Sequence, residues 1–157
     1  LIKKLNIADK CIAEGILNLQ RDSYKIEANY IGSDEIPPLK ESLSELMESG
    51  EEFYGYFDKD ELVGVISYKL NSVQIDIYRV MVHPLHFRKG IAENLVRFIE
   101  NIHCSAKEAI VSTGAKNLPA VKLYEKLGFE KVDEVEVGDG IMIAHFRKEL
   151  VILEGGR

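Results

Sequence analysis

Tryptophan is absent from this 157-residue chain, cysteine occurs only at positions 11 and 104, and there are four prolines. Two cysteines without paired metal-ligand spacing exclude a disulfide scaffold and a cysteine-built zinc site. Cys11 and Cys104 are therefore expected to be reduced, buried thiols, and neither is placed as a nucleophile. Long apolar runs are also missing. Residues 1–10 alternate charged and apolar side chains instead of forming a signal-peptide core, and no stretch reaches the roughly 20 residues that span a bilayer. No membrane partner and a cytoplasmic location are the expectations. Basic charge is not in excess: 20 Lys and Arg against 26 Asp and Glu leave a net charge of −6, which disfavours nucleic acid and weakly favours a cationic small substrate. With no repeat or low-complexity stretch, the length predicts a single domain, residues 1–157, with one active site.

The hydrophobic pattern divides the chain. Apolar positions Ile12, Ile16 and Leu19, then Leu39, Leu43, Leu46 and Met47, predict two helical segments in the first fifty residues, joined by a polar loop at 31–38. Phe53 to Phe57 and Leu62 to Leu70 are aromatic and β-branched runs around Asp58-Lys59-Asp60-Glu61, the signature of a hairpin, and Val73 to Val82 follows as a third strand. Within that strand the apolar residues shift from odd positions (Val73, Ile75, Ile77) to even ones (Tyr78, Val80, Val82). A β-bulge near Tyr78 or Arg79 explains the shift, and so does a strand end buried on both faces.

From Gly90 to His103, Ile91, Leu95, Ile99 and Ile102 share one face of a helix. Ala109 to Thr113 reads as a buried strand and Asn117 to Leu127 as a second helix, with Asn117 as N-cap, Pro119 in the first turn and Gly128 as the stop. Strands at 129–137 and 141–146, joined by Gly138-Asp139-Gly140, close the chain. The fold class is α/β: a central mixed sheet with antiparallel N-terminal strands, a parallel centre and a C-terminal hairpin, flanked by about four helices.

The stretch His83-Pro84-Leu85-His86-Phe87-Arg88-Lys89-Gly90-Ile91-Ala92 joins a strand to a helix N-terminus. Basic residues there oppose the helix dipole, so Arg88 and Lys89 are either solvated loop charges or partners of a bound anion. Free amides, flanking cations and a glycine suit a pyrophosphate. The second motif, Asn117-Leu118-Pro119-Ala120-Val121-Lys122-Leu123-Tyr124-Glu125-Lys126-Leu127-Gly128-Phe129, tips the balance towards the anion. In this order and separation the two stretches resemble the coenzyme A pyrophosphate loop and the closing helix and strand of the GNAT family of N-acetyltransferases, and the resemblance covers about the last half of the chain.

The resemblance implies acetyl-coenzyme A as co-substrate, no metal, and direct transfer of acetyl to a primary amine of a small molecule or peptide in a ternary complex; a homodimer is compatible with it. It implies that the main chain of Met81 and Val82 pairs with the pantetheine arm, that the amides from Arg88 through Lys89, Gly90, Ile91 and Ala92 hold the pyrophosphate, that Asn117 bonds the arm and that Tyr124 faces the sulfur. A phenol of ordinary pKa about 10 is suited to protonate a departing thiolate, which makes Tyr124 the candidate general acid. Read without the motif, Tyr124 is a packed aromatic on an apolar helix face.

The chain departs from the family pattern twice. Phe87 stands where the loop usually begins with Gln or Arg, and Arg79 stands where many members carry a glutamate base. Asp76, Glu27 and Glu52 remain base candidates, each equally a surface carboxylate. Pro84 breaks any helical alignment of His83 with His86, so a loop role is preferred to a metal site. Acceptor specificity is assigned to residues 20–27 and 32–38, with Glu27, Asp34 and Glu35 as attractors of a cation. The rival reading is a module of the same fold that binds coenzyme A or an acyl derivative without turnover.

Overall fold

The computed structural model describes residues 1–31 and 37–150, without the side chains of residues 27, 30, 31, 37 and 38. The elements are β1 (Ile2–Leu5), α1 (Lys10–Ile31), α2 (Pro37–Lys40), α3 (Leu43–Met47), β2 (Glu52–Asp58), β3 (Glu61–Asn71), β4 (Gln74–Val82), a 3₁₀ turn at Pro84–His86, α4 (Ile91–Ile102), β5 (Glu108–Gly114), α5 (Leu118–Lys126), β6 (Glu130–Glu136) and β7 (Met142–Glu149). No helix among the described residues is long and apolar enough to cross a membrane.

The strands form one sheet in the order β1-β2-β3-β4-β5-β7-β6. Only β4 and β5 run parallel; every other neighbouring pair is antiparallel. The predicted mixed sheet is therefore present, with β7 inserted between β5 and β6. Strand β1 is the one element with no sequence signal. It is an edge strand whose Lys3 and Lys4 stay in solvent, so it lacks the apolar density that betrays a buried strand.

The sheet separates two cores. On one face Ile66, Tyr68, Ile75, Ile77, Leu95, Ile99, Tyr124 and Phe146 pack beneath α4 and α5; on the other, Ile16, Leu46, Phe53, Val65 and Met81 pack beneath α1 and α3. The second predicted helical segment is two short helices; α3 starts from a capping box in which the Ser42 hydroxyl accepts from the Glu45 amide and Glu45 answers back. Ile102 lies at the fraying end of α4 and is exposed, unlike Ile91, Leu95 and Ile99. Both cysteines are free and exposed, contrary to expectation: Cys11 lies on the outer face of α1 and Cys104 in the turn after α4, places set by the helix periodicity and not by the thiol's preference for burial.

Candidate active site

The phase shift in the third strand is a bulge. On β3, Ser67 pairs with Arg79 and Tyr68 pairs with Ile77, so Tyr78 is the extra residue. The parallel ladder with β5 ends at the same place, at Ile77 opposite Val111. Beyond it β4 continues to Val82, paired with β3, and β5 to Gly114, paired with β7, but the two no longer pair with each other and they part. The gap between them opens into a cavity of about 530 Å³. Tyr78, Val80 and Val82 line it from β4, and Val111, Ser112 and Thr113 from β5; Ser23, Tyr24 and Ile26 of α1 close one side.

Helix α4 starts at the other end of this gap. Gly64 on β3 has a structural reason here: a Cβ would stand 2.7 Å from Ile91 Cγ2, so its absence lets the first turn of α4 sit close to the sheet. The N-cap is Gly90 at φ +76°, and no side chain caps the helix, while Arg88 is also left-handed at φ +66°. The first amides of a helix have no intrahelical acceptor, and alternating right- and left-handed residues turn successive N–H groups into one concavity. This end is suited to a phosphate. Glu93 in the first turn is bonded by Lys126 at 3.0 Å and Arg97 at 3.1 Å, which holds its carboxyl below the ordinary value and offsets its charge beside the amides.

Of the residues named for the cofactor, Val82, Arg88, Gly90, Ile91, Ala92, Asn117 and Tyr124 line the cavity. Met81 and Lys89 do not. The Met81 side chain is buried in the α1-side core, which leaves only its main chain on offer, and Lys89 Nζ stands 3.4 Å from His86 Nδ1. Asn117 is buried and caps α5, its side-chain oxygen accepting from the Ala120 amide at 3.4 Å. Tyr124 is 5% exposed and rests edge-on against Phe129 at 5.7 Å and tilted against Phe146 at 6.0 Å. Two rings therefore hold its phenol at the cavity wall.

The base candidates do not gather here. Arg79 points to the opposite face, towards α1 and α3, so the cavity receives Tyr78 and Val80 from this part of β4. Asp76 does not line the cavity; burial raises its carboxyl above the ordinary value. Glu52 is a half-exposed partner of Lys4 on β2. The side chain of Glu27, with Asp34 and Glu35, lies outside the described residues. Among the described lining residues Glu93 is the only carboxylate.

His83 accepts from the Leu85 amide at 3.1 Å and so shapes the turn before the phosphate-type loop. His86 stands 3.8 Å from both Asp58 and Glu61 at the β2–β3 hairpin and reaches the cavity. Phe87 lines the cavity too, in the place of the expected polar residue. Ser23 and Tyr24 lie in the 20–27 segment assigned to acceptor specificity, and Tyr78 at the expected bulge; Ser112 and Thr113 are wall residues that no motif announced.

Comparison with known proteins places this arrangement. A family model described as an acetyltransferase (GNAT) domain matches residues 15–150. The UPF0157 protein YqkA of Bacillus subtilis is 38% identical over 146 residues, which cover 93% of this chain and 43% of that protein. The chain thus spans less than half the length of this relative. Among solved structures, the PaiA N-acetyltransferase of Thermoplasma acidophilum in complex with coenzyme A superposes with a TM-score of 0.74 at 23% identity, over 95% of this chain and 98% of that one. The ribosomal-protein-S18-alanine N-acetyltransferase of Escherichia coli superposes at 0.77 and 12% identity, over 100% and 97%. At these identities the two structures speak for the fold alone. Matched by the family model over most of its length, the chain belongs to the GNAT acetyltransferase family.

Proposed function

We propose that this domain transfers the acetyl group of acetyl-coenzyme A directly to a primary amine. The observation that carries the reading is the joining of two unlike ends in one cavity. One end offers uncapped amides with Arg88; the other offers a buried phenol, Tyr124, beside an aromatic and aliphatic wall. Among the described residues the main chain of β4 beyond Ile77 has no strand partner on the β5 side, and it is suited to bond the amide groups of a pantetheine arm.

In this reading the amides of residues 88–92 and Arg88 hold the pyrophosphate, Asn117 bonds the arm, and Lys89 adds positive charge from outside the cavity wall. An amine nitrogen attacks the thioester carbonyl, the carbon–sulfur bond breaks, and Tyr124 gives its proton to the sulfur as the thiolate leaves. The amine loses its proton to solvent, and Tyr124 recovers one from solvent. An ammonium has no lone pair, so the acceptor must enter neutral or lose its proton on the way. No metal and no covalent enzyme intermediate take part.

A second reading, a coenzyme A-binding module without turnover, is favoured by one observation: the acceptor side shows no carboxylate among the described lining residues. Calorimetric titration with acetyl-coenzyme A, followed by thiol release with tyramine, an aminoglycoside and an alanine-terminated peptide as probe amines, separates the two. Binding with thiol release from any probe supports the transferase; binding with no release from any of them supports the module. No binding removes both.

A further inference from the structure

Arg79 leaves the cleft and enters a network that uses every donor it has. Nε donates to Glu51 Oε1 at 2.8 Å, Nη1 to Gln20 Oε1 at 2.8 Å and to Glu41 Oε1, and Nη2 to Glu41 Oε2 and Glu51 Oε2, each at 3.1 Å. A guanidinium carries five N–H groups, and all are engaged. Gln20 Nε2 donates to Glu41 Oε1 at 2.8 Å, and the Ser67 hydroxyl donates to Glu51 Oε1 at 2.6 Å. The Phe53 ring lies 5.5 Å from the guanidinium carbon, and the Arg79 side chain is 12% exposed.

These partners belong to separate segments. Gln20 lies on α1, Glu41 between α2 and α3, Glu51 just before β2 and Ser67 on β3. Position in the chain ties the network to the cavity. Arg79 follows the bulge residue Tyr78 and precedes Val80, both of which line the cavity, and Gln20 stands one helical turn before Ser23 and Tyr24, which line it from α1. Beyond Ile77, β4 has lost β5 and is held by β3 alone on its ladder side.

Stability alone does not account for such an arrangement. Replacing a buried ion network by apolar side chains of similar volume is often neutral or stabilising. What apolar contacts cannot supply is a fixed geometry, because a planar five-donor fork donates to its carboxylates in one orientation.

We propose that Arg79 is a positioning residue that sets the spacing between the α1 wall (Ser23, Tyr24, Ile26) and the bulged β4 wall (Tyr78, Val80), and so shapes the end of the cavity that admits the amine. The clause about the amine rests on the acetyltransferase reading; the clamping of the two walls does not. The phosphate end, built on α4 and the loop before it, shares no residue with the network.

The test compares the wild type with Arg79→Met and with the triple variant Arg79→Met/Glu41→Met/Glu51→Met, which leaves no carboxylate of the network without its cation. Amide hydrogen exchange is measured by segment. In the triple variant, amides of residues 20–26 are expected to exchange about tenfold faster while those of α4 and α5 are unchanged. Acetyl-coenzyme A affinity by calorimetry stays within about twofold, and KM for tyramine as probe amine rises about tenfold with kcat little altered.

Unchanged exchange over residues 20–26, or an equal rise in α4 and α5, overturns the clamp. Faster exchange there with an unaltered KM overturns its role in shaping the amine end. A wild type that fails to bind acetyl-coenzyme A removes the transferase reading instead, and the exchange comparison still decides the clamp.

Discussion

At one end of the cavity the working groups come from a single short stretch, residues 86–93, and most of them are main-chain amides fixed by two left-handed residues and a helix start. At the other end they are side chains from α1, β4, β5 and α5, brought together by a bulge, by the divergence of two strands and by the packing of α5. The first end depends on backbone shape and tolerates many side chains. The second depends on packing and changes with each residue. In the proposed reading the first end takes the pyrophosphate and the second the amine, and the contrast predicts that substitutions at the two ends fail differently.

The largest expected effect is at the backbone end. Gly90→Asp adds a carboxylate where the amides converge, and space exists for it, since nothing lies within 4 Å of a Cβ at this position. The left-handed φ costs a non-glycine residue on the order of 1–2 kcal/mol, and less for Asp, so the fold survives. Calorimetry should show acetyl-coenzyme A binding abolished, with thermal unfolding shifted by only a few degrees; retained binding would remove the pyrophosphate from this end. Next comes Tyr124→Phe, which keeps the ring against Phe129 and Phe146 and deletes one oxygen. Turnover should fall about 10²-fold, the lower range for a general acid, with acetyl-coenzyme A affinity unchanged. Unaltered turnover would reduce Tyr124 to a packed aromatic.

A smaller effect is expected at the amine end. Tyr78 is 46% exposed, with Lys69 Nζ 5.1 Å from its ring centre, so its removal should leave the sheet folded. Tyr78→Ala should raise KM for a probe amine about tenfold, the worth of one aromatic contact, without changing acetyl-coenzyme A affinity. An altered cofactor affinity would break the separation of the two ends.

The same contrast decides what the sequence could reveal. The phosphate end is contiguous, so its glycine, cations and helix start are read together, and the N-cap Asn117 and stop Gly128 mark α5 directly. The sheet order follows from strand and helix alternation, and the bulge left a visible change of phase at Tyr78. The direction of Arg79 was not legible, because one extra residue in the strand turns a position from cavity to core without altering its neighbours in the chain. Nor was the pairing of Arg79 with Glu41 and Glu51, which are 38 and 28 residues away. Strand β1 escaped because an edge strand with two lysines carries no apolar signal.

The smallest effect concerns Glu41, at the rim of the network. Burial pushes its carboxyl up, but hydrogen bonds from Arg79 and Gln20 and the Arg79 charge outweigh that and hold it below its ordinary value of 4.5. A carboxyl lowered on folding binds fewer protons in the native than in the unfolded chain, so its contribution to stability is complete above the ordinary value and disappears as pH falls through the native one. Urea unfolding followed from neutral pH down to about pH 3 should therefore show wild type falling more steeply in acid than Glu41→Gln, whose amide cannot titrate. The difference between the two proteins should shrink as the pH drops. Parallel curves would mean that Glu41 titrates alike in both states, and the ion pair to Arg79 would then contribute orientation to the amine wall without contributing pH-dependent stability.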